Sequence, residues 1–324
     1  MGRLLRKIGI DAIDSRDQFF SMTFCPDLEG LKRSIGHVGL LQPIMVREKS
    51  QGPGWQVISG FKRLTVCGQL GLREVEAFSY RKSELRDLEG FHIALQENLT
   101  TRGLNLMEKA MVLHKLIHQL GLSEDSVVRD YLPMLGLHPN LGILRKLSQL
   151  VHLPDEIGRY ITEEEVSLGN AARFLEFPPE DQEEIGRLVP QMKLGENTLK
   201  EVLTFLREIC LRDGLRVREL VHGEIEAIAH DANLSKAHKT QRMRRRLREM
   251  RVPRLTELEK VFGEKRKGLG LGPGISLQPP PYFEGDTFRL EFGFKSVEQL
   301  KAILWNLTEA SERRELGEMI DAVP

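Results

Sequence analysis

Two short segments of this chain carry residue types that suit an anionic ligand with a bound metal ion. Residues 58–64, with the sequence ISGFKRL, have the pattern of a strand that ends in a glycine turn and opens a helix carrying two adjacent cations. Residues 96–102, with the sequence QENLTTR, place a carboxylate beside an amide and add two hydroxyls and an arginine. Helix N-terminal amides, fixed positive charge and hard oxygen ligands suit a phosphate with magnesium. Together the segments predict a nucleotide site outside the P-loop pattern.

Each segment also has a plain structural interpretation. The turn at Gly60 can join a strand to a helix whose two cations, Lys62 and Arg63, are merely solvated. Glu97 and Asn98 can end one helix and cap the next instead of supplying oxygen ligands. The glutamine amide at residues 42–43 can recognise a base or simply stand at the entry to a strand. The combination of all three favours the nucleotide site.

The composition is typical of a soluble protein. The 324 residues are enough for two or three domains, and 40% of them are hydrophobic. Lysine plus arginine and aspartate plus glutamate both total 47, so the overall charge does not indicate a nucleic-acid partner. The three cysteines are widely separated, which argues against structural zinc, and no window approaches the ~20 apolar residues of a membrane helix. We expect a cytoplasmic protein without a secretory signal.

Hydrophobic periodicity divides the chain into four parts. Residues 1–95 alternate between strand and helix patterns and predict a small α/β domain, whereas residues 96–220 have helical spacing throughout. Residues 221–254 include nine Lys or Arg against one acid between 236 and 254, which predicts a linker or an exposed basic helix. Residues 255–310 have a helix–strand–strand–helix pattern too small to bury much core alone, so its apolar face favours dimerisation.

The same periodicity predicts the individual elements. The predicted strands are residues 8–11, 43–46, 55–58, 75–78, 275–277 and 288–294. The predicted helices are residues 27–38, 61–70, 85–98, 106–120, 123–132, 139–150, 168–175, 179–189, 198–210, 255–263 and 297–307, with a further helix after Pro154.

Three blocks of the sequence resemble those of the ParB family of chromosome and plasmid partition proteins. Residues 39–47 (GLLQPIMVR) look like the family's first box, residues 58–64 stand where the family has its Gly-Glu-Arg-Arg phosphate motif, and residues 97–110 are similar to its Glu-Asn-Leu-Gln-Arg box. Residues 255–310 look like its dimerisation domain. The resemblance implies an α+β multidomain fold: a small α/β ParB/sulfiredoxin-like N-terminal domain, an all-α helix-turn-helix middle domain and a small α-β-β-α C-terminal dimerisation domain.

The resemblance further implies that the N-terminal domain binds CTP and Mg²⁺. The residues it assigns to the nucleotide are Gln42, Pro43, Ser59, Gly60, Lys62, Arg63, Thr101 and Arg102. Glu97 and Asn98 are the implied metal ligands, and Glu97 is also the candidate catalytic residue. The chain departs from the family at Phe61 in place of glutamate, and at Lys62 and Thr101 in place of arginines. Lysine does not bind phosphate in the bidentate manner of arginine, so we expect a site that holds CTP rather than one that hydrolyses it quickly.

DNA contacts are predicted in two places. In family members a helix-turn-helix follows the third box, and here the matching stretch is residues 122–150, with an unusually long connection between its helices. The candidate base-reading residues there are Asn140, Arg145, Lys146 and Gln149. The alternative is a pair of helices that pack without reading bases. In the basic block, the candidate phosphate contacts are Arg242, Arg244, Arg245, Arg246 and Arg248. A solvated linker, or a contact with RNA or an acidic protein, is the alternative for that block.

The resemblance implies a CTP-gated dimeric DNA clamp that acts in chromosome or plasmid segregation. Its implied partners are double-stranded DNA, a second copy through residues 255–310 and a ParA-like ATPase, at a nucleoid-associated location without membrane contact. One alternative is a dimeric transcriptional or nucleoid regulator with a degenerate nucleotide pocket. A nuclease or kinase-like enzyme is less favoured, because no Ser/His/Asp triad or other catalytic base pattern is evident. His114 and His118, at i and i+4, are expected on a helix surface.

Overall fold

The structure, a computed structural model, describes residues 3–322. The chain forms two compact units, which divide between Leu203 and Thr204. The fold combines one five-stranded mixed sheet and one two-stranded sheet with many helices. The division into four domains at residues 95, 220 and 254 stays a prediction. No helix of the described residues is long and apolar enough to span a membrane.

The first unit begins with the five-stranded sheet. Its strands are β1 (Leu4–Gly9), β2 (Ile13–Asp14), β3 (Ile44–Glu48), β4 (Trp55–Ser59) and β5 (Glu74–Tyr80). The order is β1-β5-β3-β4-β2, with β3 parallel to β5 and antiparallel to β4. The predicted strand at residues 8–11 is only partly right: β1 ends at Gly9 because its partner β5 begins at Glu74, and Ile10–Ala12 forms a 3-10 turn.

Two helices cover the core of this sheet. They are α1 (Glu29–Val38) and α2 (Phe61–Gln69), both close to their predicted ranges. Ile35 of α1 and Leu64 of α2 belong to one buried apolar cluster with Ile44 and Val57 of the sheet. Burial of these side chains holds α2 against the sheet. Because Gly60 alone connects β4 to α2, the turn at Gly60 has a defined position.

The remainder of the first unit is helical, as predicted. The helices are α3 (Asp87–Thr101), α4 (Leu106–His118), α5 (Glu124–Ser126), α6 (Leu132–Met134), α7 (Leu141–Gln149), α8 (Asp155–Glu163), α9 (Leu168–Phe174), α10 (Pro179–Leu188) and α11 (Glu196–Asp213). A π-helical turn at Val127–Tyr131 joins α5 to α6, so the predicted helix at residues 123–132 is one continuous helical segment. The connection to α7 is long, as predicted.

Three histidines meet in this helical part. The ring centroid of His114 lies 4.4 Å from that of His118 and 5.6 Å from that of His152. His118 is exposed, as expected, but His114 is only partly exposed and its Nδ1 is a buried atom that has no hydrogen-bond partner within residues 3–322. No local pattern indicates the third ring, because His152 lies 34 residues after His118 in the chain.

The second unit contains the basic block and the C-terminal pattern. Its helices after α11 are α12 (Val217–Val221), α13 (Glu224–His230), α14 (Lys236–Arg251), α15 (Pro253–Gly268), α16 (Val297–Ser311) and α17 (Arg314–Asp321), and its strands are β6 (Ile275–Gln278) and β7 (Arg289–Phe292). Of the two alternatives predicted for the basic block, a linker or an exposed basic helix, the structure shows the helix, since Lys236–Arg251 forms α14. Helix α15 continues past Gly263 because Phe262 is buried and Lys265 pairs with Glu318 of α17.

Candidate nucleotide-binding site

Five segments that are far apart in the sequence line one cavity of about 220 Å³ in the first unit. Three of them carry the predicted site residues: the loop before β3, the turn between β4 and α2, and the C-terminal end of α3. The other two are the irregular segment at residues 22–23 and helix α1. The lining residues are Met22, Thr23, Leu31, Gln42, Ser59, Gly60, Phe61, Lys62, Arg63, Glu97, Asn98, Thr101 and Arg102. The structure thus brings together every residue assigned to the nucleotide or metal except Pro43, whose carbonyl contacts Arg63.

Gly60 shapes the turn that opens the cavity. Its φ of 97° and ψ of 23° lie in the left-handed region, which side chains rarely adopt. A Cβ placed there would lie 2.8 Å from Cγ2 of Ile44, so the position also lacks space for a side chain. Gly60 offers no side-chain cap to α2, and the first amides of that helix have no partner within it. These amides and the helix dipole favour an anion at this turn.

Arg63 joins the three segments. Its Nη1 donates to the carbonyl oxygens of Gln42 and Pro43, both at 3.0 Å, and its Nη2 donates to Oε1 of Glu97 at 2.6 Å. The Arg63 and Glu97 side chains are only 14% and 16% exposed. The sequence indicated a phosphate ligand at Arg63, but this guanidinium is largely committed to protein groups. Its contacts hold the strand-entry loop and α3 against α2.

Lys62 differs from Arg63, because no carboxylate of the described residues pairs with its positive charge. None of the described residues forms a hydrogen bond or ion pair with its ammonium group. Burial lowers the pKa of Lys62, and the nearby Arg102 lowers it further, while Glu108 and Asp27 act in the opposite direction. A half-buried cation beside a second cation and without a direct counter-ion attracts an anionic ligand.

The end of α3 is fixed by a chain of polar contacts. Asn98 donates through Nδ2 to the carbonyl oxygen of Ala94 at 2.8 Å, and its Oδ1 accepts from Nε of Arg102 at 3.1 Å. Arg102 also donates from Nη1 to Oε2 of the buried Glu108 at 2.7 Å. Helix α3 continues through Glu97 and Asn98 to Thr101, so the interpretation in which these two residues end one helix and cap the next is wrong.

Asn105 caps α4 in their place. Its Oδ1 accepts from the backbone N–H of Glu108 at 2.9 Å, and the Glu108 carboxylate accepts from the N–H of Asn105 at 3.2 Å. This reciprocal capping box explains why α4 begins at Leu106. It also holds the Glu108 carboxylate in position to orient Arg102.

The oxygen donors of the cavity fit magnesium in one mode. Glu97 Oε2 has no hydrogen-bond partner among the described residues, and Asn98 contributes Oδ1 on the next residue. Within residues 3–322, no group of three or more His, Cys, Asp and Glu side chains is arranged to hold a metal ion. Magnesium commonly takes one or two protein ligands and completes its shell with phosphate oxygens and water. Glu97 and Asn98 fit that mode and not an all-protein site.

Part of the cavity wall could not be found from the sequence. Met22 and Thr23 line the cavity, yet they lie in an irregular segment with neither strand nor helix periodicity. Phe61 also lines it and packs against the apolar cluster of the sheet. The only signal was the departure at Phe61 from the family's glutamate.

The candidate base-reading residues on α7 differ in their availability. Asn140 caps α7, because its Oδ1 accepts from the N–H of Ile143 at 3.1 Å. Arg145 pairs with Glu124 at 3.0 Å. Lys146 and Gln149 are exposed at i and i+3 and have no hydrogen-bond or ion-pair partner among the described residues. These two are the α7 side chains that remain available to another molecule.

The basic helix α14 packs on one face and exposes arginines on the other. Met243 and Leu247 are fully buried, at i and i+4. The predicted phosphate contacts on this helix are Arg242, Arg244, Arg245, Arg246 and Arg248. Several of them pair with carboxylates within the unit, as Arg248 does with Glu259 at 3.0 Å. Arg242 is exposed and makes no hydrogen bond or ion pair with the described residues.

Several known proteins are similar to this chain in sequence. Residues 2–99 match the ParB N-terminal domain family. A probable chromosome-partitioning protein ParB of Vibrio cholerae is 28% identical over 57% of this chain and 59% of its own length. The chromosome-partitioning protein Spo0J of Thermus thermophilus is 31% identical over 48% of this chain and 53% of its own length. A nucleoid occlusion protein of Halalkalibacterium halodurans is 28% identical over 54% of this chain and 60% of its own length.

Solved structures are also similar. One is a C-terminally truncated ParB of Caulobacter crescentus complexed with CTP-gamma-S, which is 25% identical to this chain. The match covers 56% of this chain and 98% of the solved chain, with a TM-score of 0.27. The same protein complexed with the centromeric parS site is 24% identical, with coverages of 70% and 100% and a TM-score of 0.33. The chain spans little more than half the length of the V. cholerae and T. thermophilus relatives. The comparisons therefore show a ParB N-terminal domain at residues 2–99 of this chain.

Proposed function

We propose that this protein is a ParB-like, CTP-gated dimeric DNA clamp that acts in chromosome or plasmid segregation. The observation that carries the proposal is the single cavity into which the Gly60 turn, the end of α3 and the strand-entry loop project their polar groups. Lys62 leaves an unneutralised positive charge in that cavity, so an anionic ligand is favoured.

The phosphates belong at the turn between β4 and α2. The N-terminal amides of α2 and the Lys62 ammonium face the same cavity, and Arg102 adds charge from the other side. Arg63 acts mainly by holding the walls together. Gln42 and Pro43 lie in the loop that corresponds to the family's first box, and the amide of Gln42 can recognise a base, so the base is assigned to that end. Ser59 and Thr101 are proposed as hydroxyl contacts.

Glu97 and Asn98 are the proposed magnesium ligands. Mg²⁺ would neutralise part of the triphosphate charge at these oxygens. The protein prepares the site by fixing Asn98 through Ala94 and Arg102. The Arg63 contact likewise fixes the Glu97 carboxylate.

Hydrolysis of CTP is proposed to be slow at most. Glu97 is the one carboxylate among the described lining residues, and it is paired with Arg63. Because one oxygen of this carboxylate already accepts a hydrogen bond from Arg63, the group is less available to take a proton from water. Phe61 offers no acid–base group where the family has glutamate. Nucleotide binding, rather than turnover, is therefore the proposed signal.

DNA binding is assigned to α7 and α14. Lys146 and Gln149 are the proposed contacts on α7, since both are exposed and neither has a partner in the described part of the chain. Arg242 is the proposed phosphate contact on α14. Arginine contacts to phosphate release counter-ions and give affinity without sequence preference. The site of action is then the nucleoid.

The C-terminal elements are the proposed dimer contact. Val297, Leu304 and Trp305 follow the i, i+7, i+8 spacing of one helix face on α16, and Trp305 is 71% exposed. Leu290 of β7 is exposed as well. An apolar face of this kind favours burial against a second copy. A ParA-like ATPase is the further partner proposed from the family.

Titration with each of the four nucleoside triphosphates in the presence of Mg²⁺ tests the nucleotide assignment. Isothermal calorimetry should show binding of CTP and much weaker binding of ATP, GTP and UTP, and phosphate release should be slow. Equal affinity for all four, or no binding, would overturn the proposal.

A second candidate function is that of a nucleoid regulator whose pocket does not gate DNA binding. Two observations favour it. The Arg63 guanidinium is already occupied by protein groups, and one relative is a nucleoid occlusion protein. This protein would dimerise and bind DNA with an affinity that CTP does not change, so DNA binding measured with and without CTP distinguishes the two.

A further inference from the structure

Lys115 is a buried cation outside the cavity. It lies on α4 and is only 8% exposed. Its ammonium donates to the backbone carbonyl oxygens of Gln18 at 2.5 Å, Phe19 at 3.2 Å and Ser21 at 2.6 Å. These carbonyls belong to the irregular segment that leads into Met22 and Thr23 of the cavity wall.

The geometry requires the charged form of this lysine. An ammonium has three N–H donors, which match the three carbonyl oxygens, whereas a neutral amine has two donors and a lone pair. A buried charge is tolerated when its hydrogen bonds are all made. Burial lowers the pKa of Lys115 to about 8, and Asp17 partly opposes that effect. Lys115 also lies next to His114 on α4, and the lysine charge contributes to lowering the pKa of His114.

A second residue of α4 holds the other end of the segment. Glu108 accepts from the backbone N–H of Phe24 at 3.4 Å through Oε1, while its Oε2 holds Arg102 of the cavity. Glu108 and Lys115 are at i and i+7 and therefore lie on one face of α4. Between these two anchors, Met22 is 1% exposed. Helix α4 thus fixes the segment on both sides of the lining residues.

We propose that Lys115 is a positioning residue for ligand binding: it anchors residues 18–21 so that Met22 and Thr23 form a wall of the nucleotide cavity. Lys115 itself does not touch the ligand. The inference rests on the proposed function, since it concerns the ligand of that same cavity. It adds a determinant of nucleotide affinity that no motif of the sequence indicates.

The test compares Lys115→Met with Lys109→Met, a matched control on the same helix. Lys109 is half-buried and makes no hydrogen bond or ion pair with the described residues. At pH 7, Lys115→Met should weaken CTP binding on the order of tenfold, since charged hydrogen bonds are lost. Lys109→Met should bind CTP like the wild type. Unchanged DNA binding without nucleotide, together with a retained circular dichroism spectrum, shows that the variants fold.

The pH dependence of CTP affinity distinguishes a charged anchor from a side chain that only fills space. The affinity of the wild type for CTP should fall as pH rises through about 8, because the third donor is lost with the proton. The affinity of Lys115→Met should be weak and flat over the same range, so the two curves converge. Parallel curves would overturn the proposal, as would equal losses in Lys115→Met and Lys109→Met.

Hydrogen exchange separates this inference from the proposed function. Amides of residues 19–24 should exchange faster in Lys115→Met than in the wild type, with or without CTP. Unchanged exchange there overturns the anchoring role of Lys115. A wild-type protein that binds no CTP overturns the proposed function, and this failure is seen in a different measurement.

Discussion

Arg63 and Glu97 form an ion pair of 2.6 Å across the wall of the candidate nucleotide cavity. The two residues lie on different helices, α2 and α3, and the same guanidinium reaches the carbonyls of Gln42 and Pro43. The sequence motifs assign Arg63 to the phosphates and Glu97 to the metal ion. The structure shows that these two residues also hold the walls of the cavity together. Loss of either should affect both the fold and ligand binding, and the predictions separate these effects.

Arg63→Met should destabilise the protein as well as abolish CTP binding. The change leaves the Glu97 carboxylate largely buried without its partner, at a cost of about 2 kcal/mol in the free energy of unfolding. Adding Glu97→Gln should recover part of that stability but none of the CTP affinity. Chemical denaturation and calorimetry on both variants measure the two effects. A single variant as stable as the wild type would contradict the structural role of the pair.

Lys62→Met should weaken CTP binding while leaving stability nearly unchanged. The ammonium has no described partner to lose, so its charge matters only to the ligand. We expect about a tenfold loss of affinity, and Lys62→Arg should restore most of it. Calorimetry together with thermal melting makes the comparison. A large drop in melting temperature without a change in affinity would show that Lys62 is structural.

Gly60→Ala should destabilise the first unit, whereas Gly68→Ala on the same helix should not. Alanine at Gly60 is strained at a φ of 97° and approaches Ile44, at a cost of about 1–3 kcal/mol. A Cβ at Gly68 meets nothing within 4 Å, and alanine favours a helix by about 1 kcal/mol. Thermal melting of the pair decides the matter, and equal shifts would contradict the account of the turn.

The sequence predicts much of the site because its signals are local. A strand, a glycine turn and a helix follow one another around Gly60, and the structure confirms that order. Local patterns could not tell whether α3 ends at Asn98, since the cap of α4 lies further on at Asn105. They also could not show Lys115 against Gln18, because those partners are 97 residues apart in the chain.

The stability of the protein should fall as pH is lowered from 7 to 5. Burial, followed by His118, His152 and Lys115, lowers the pKa of His114 below its usual value. Between the folded and unfolded values the unfolded chain binds more protons, so stability rises with pH in that window and is lost as pH falls through it. His118→Gln removes one neighbouring charge and should flatten this dependence in denaturation at pH 5, 6 and 7. An unchanged slope would show that His118 does not contribute to the lowered pKa of His114.

Arg242→Ala should weaken DNA binding evenly across sequences. Arg242 is exposed and pairs with none of the described residues, so its loss should reduce the salt dependence by about one phosphate contact. Arg248→Ala should have a smaller effect, because Glu259 already neutralises part of that charge. Fluorescence anisotropy at several salt concentrations compares the two. A loss confined to one DNA sequence would contradict the phosphate role.

Retention on DNA tests the central claim most directly. The wild-type protein, incubated with CTP and Mg²⁺ on closed-circular DNA that carries its site, is washed at high salt, and the bound protein is measured. The account predicts that CTP increases retention on the closed circle but not on the same DNA after linearisation, and that ATP, GTP and UTP have no such effect. Equal retention with and without CTP, or equal retention on linear and circular DNA, would contradict a CTP-gated clamp.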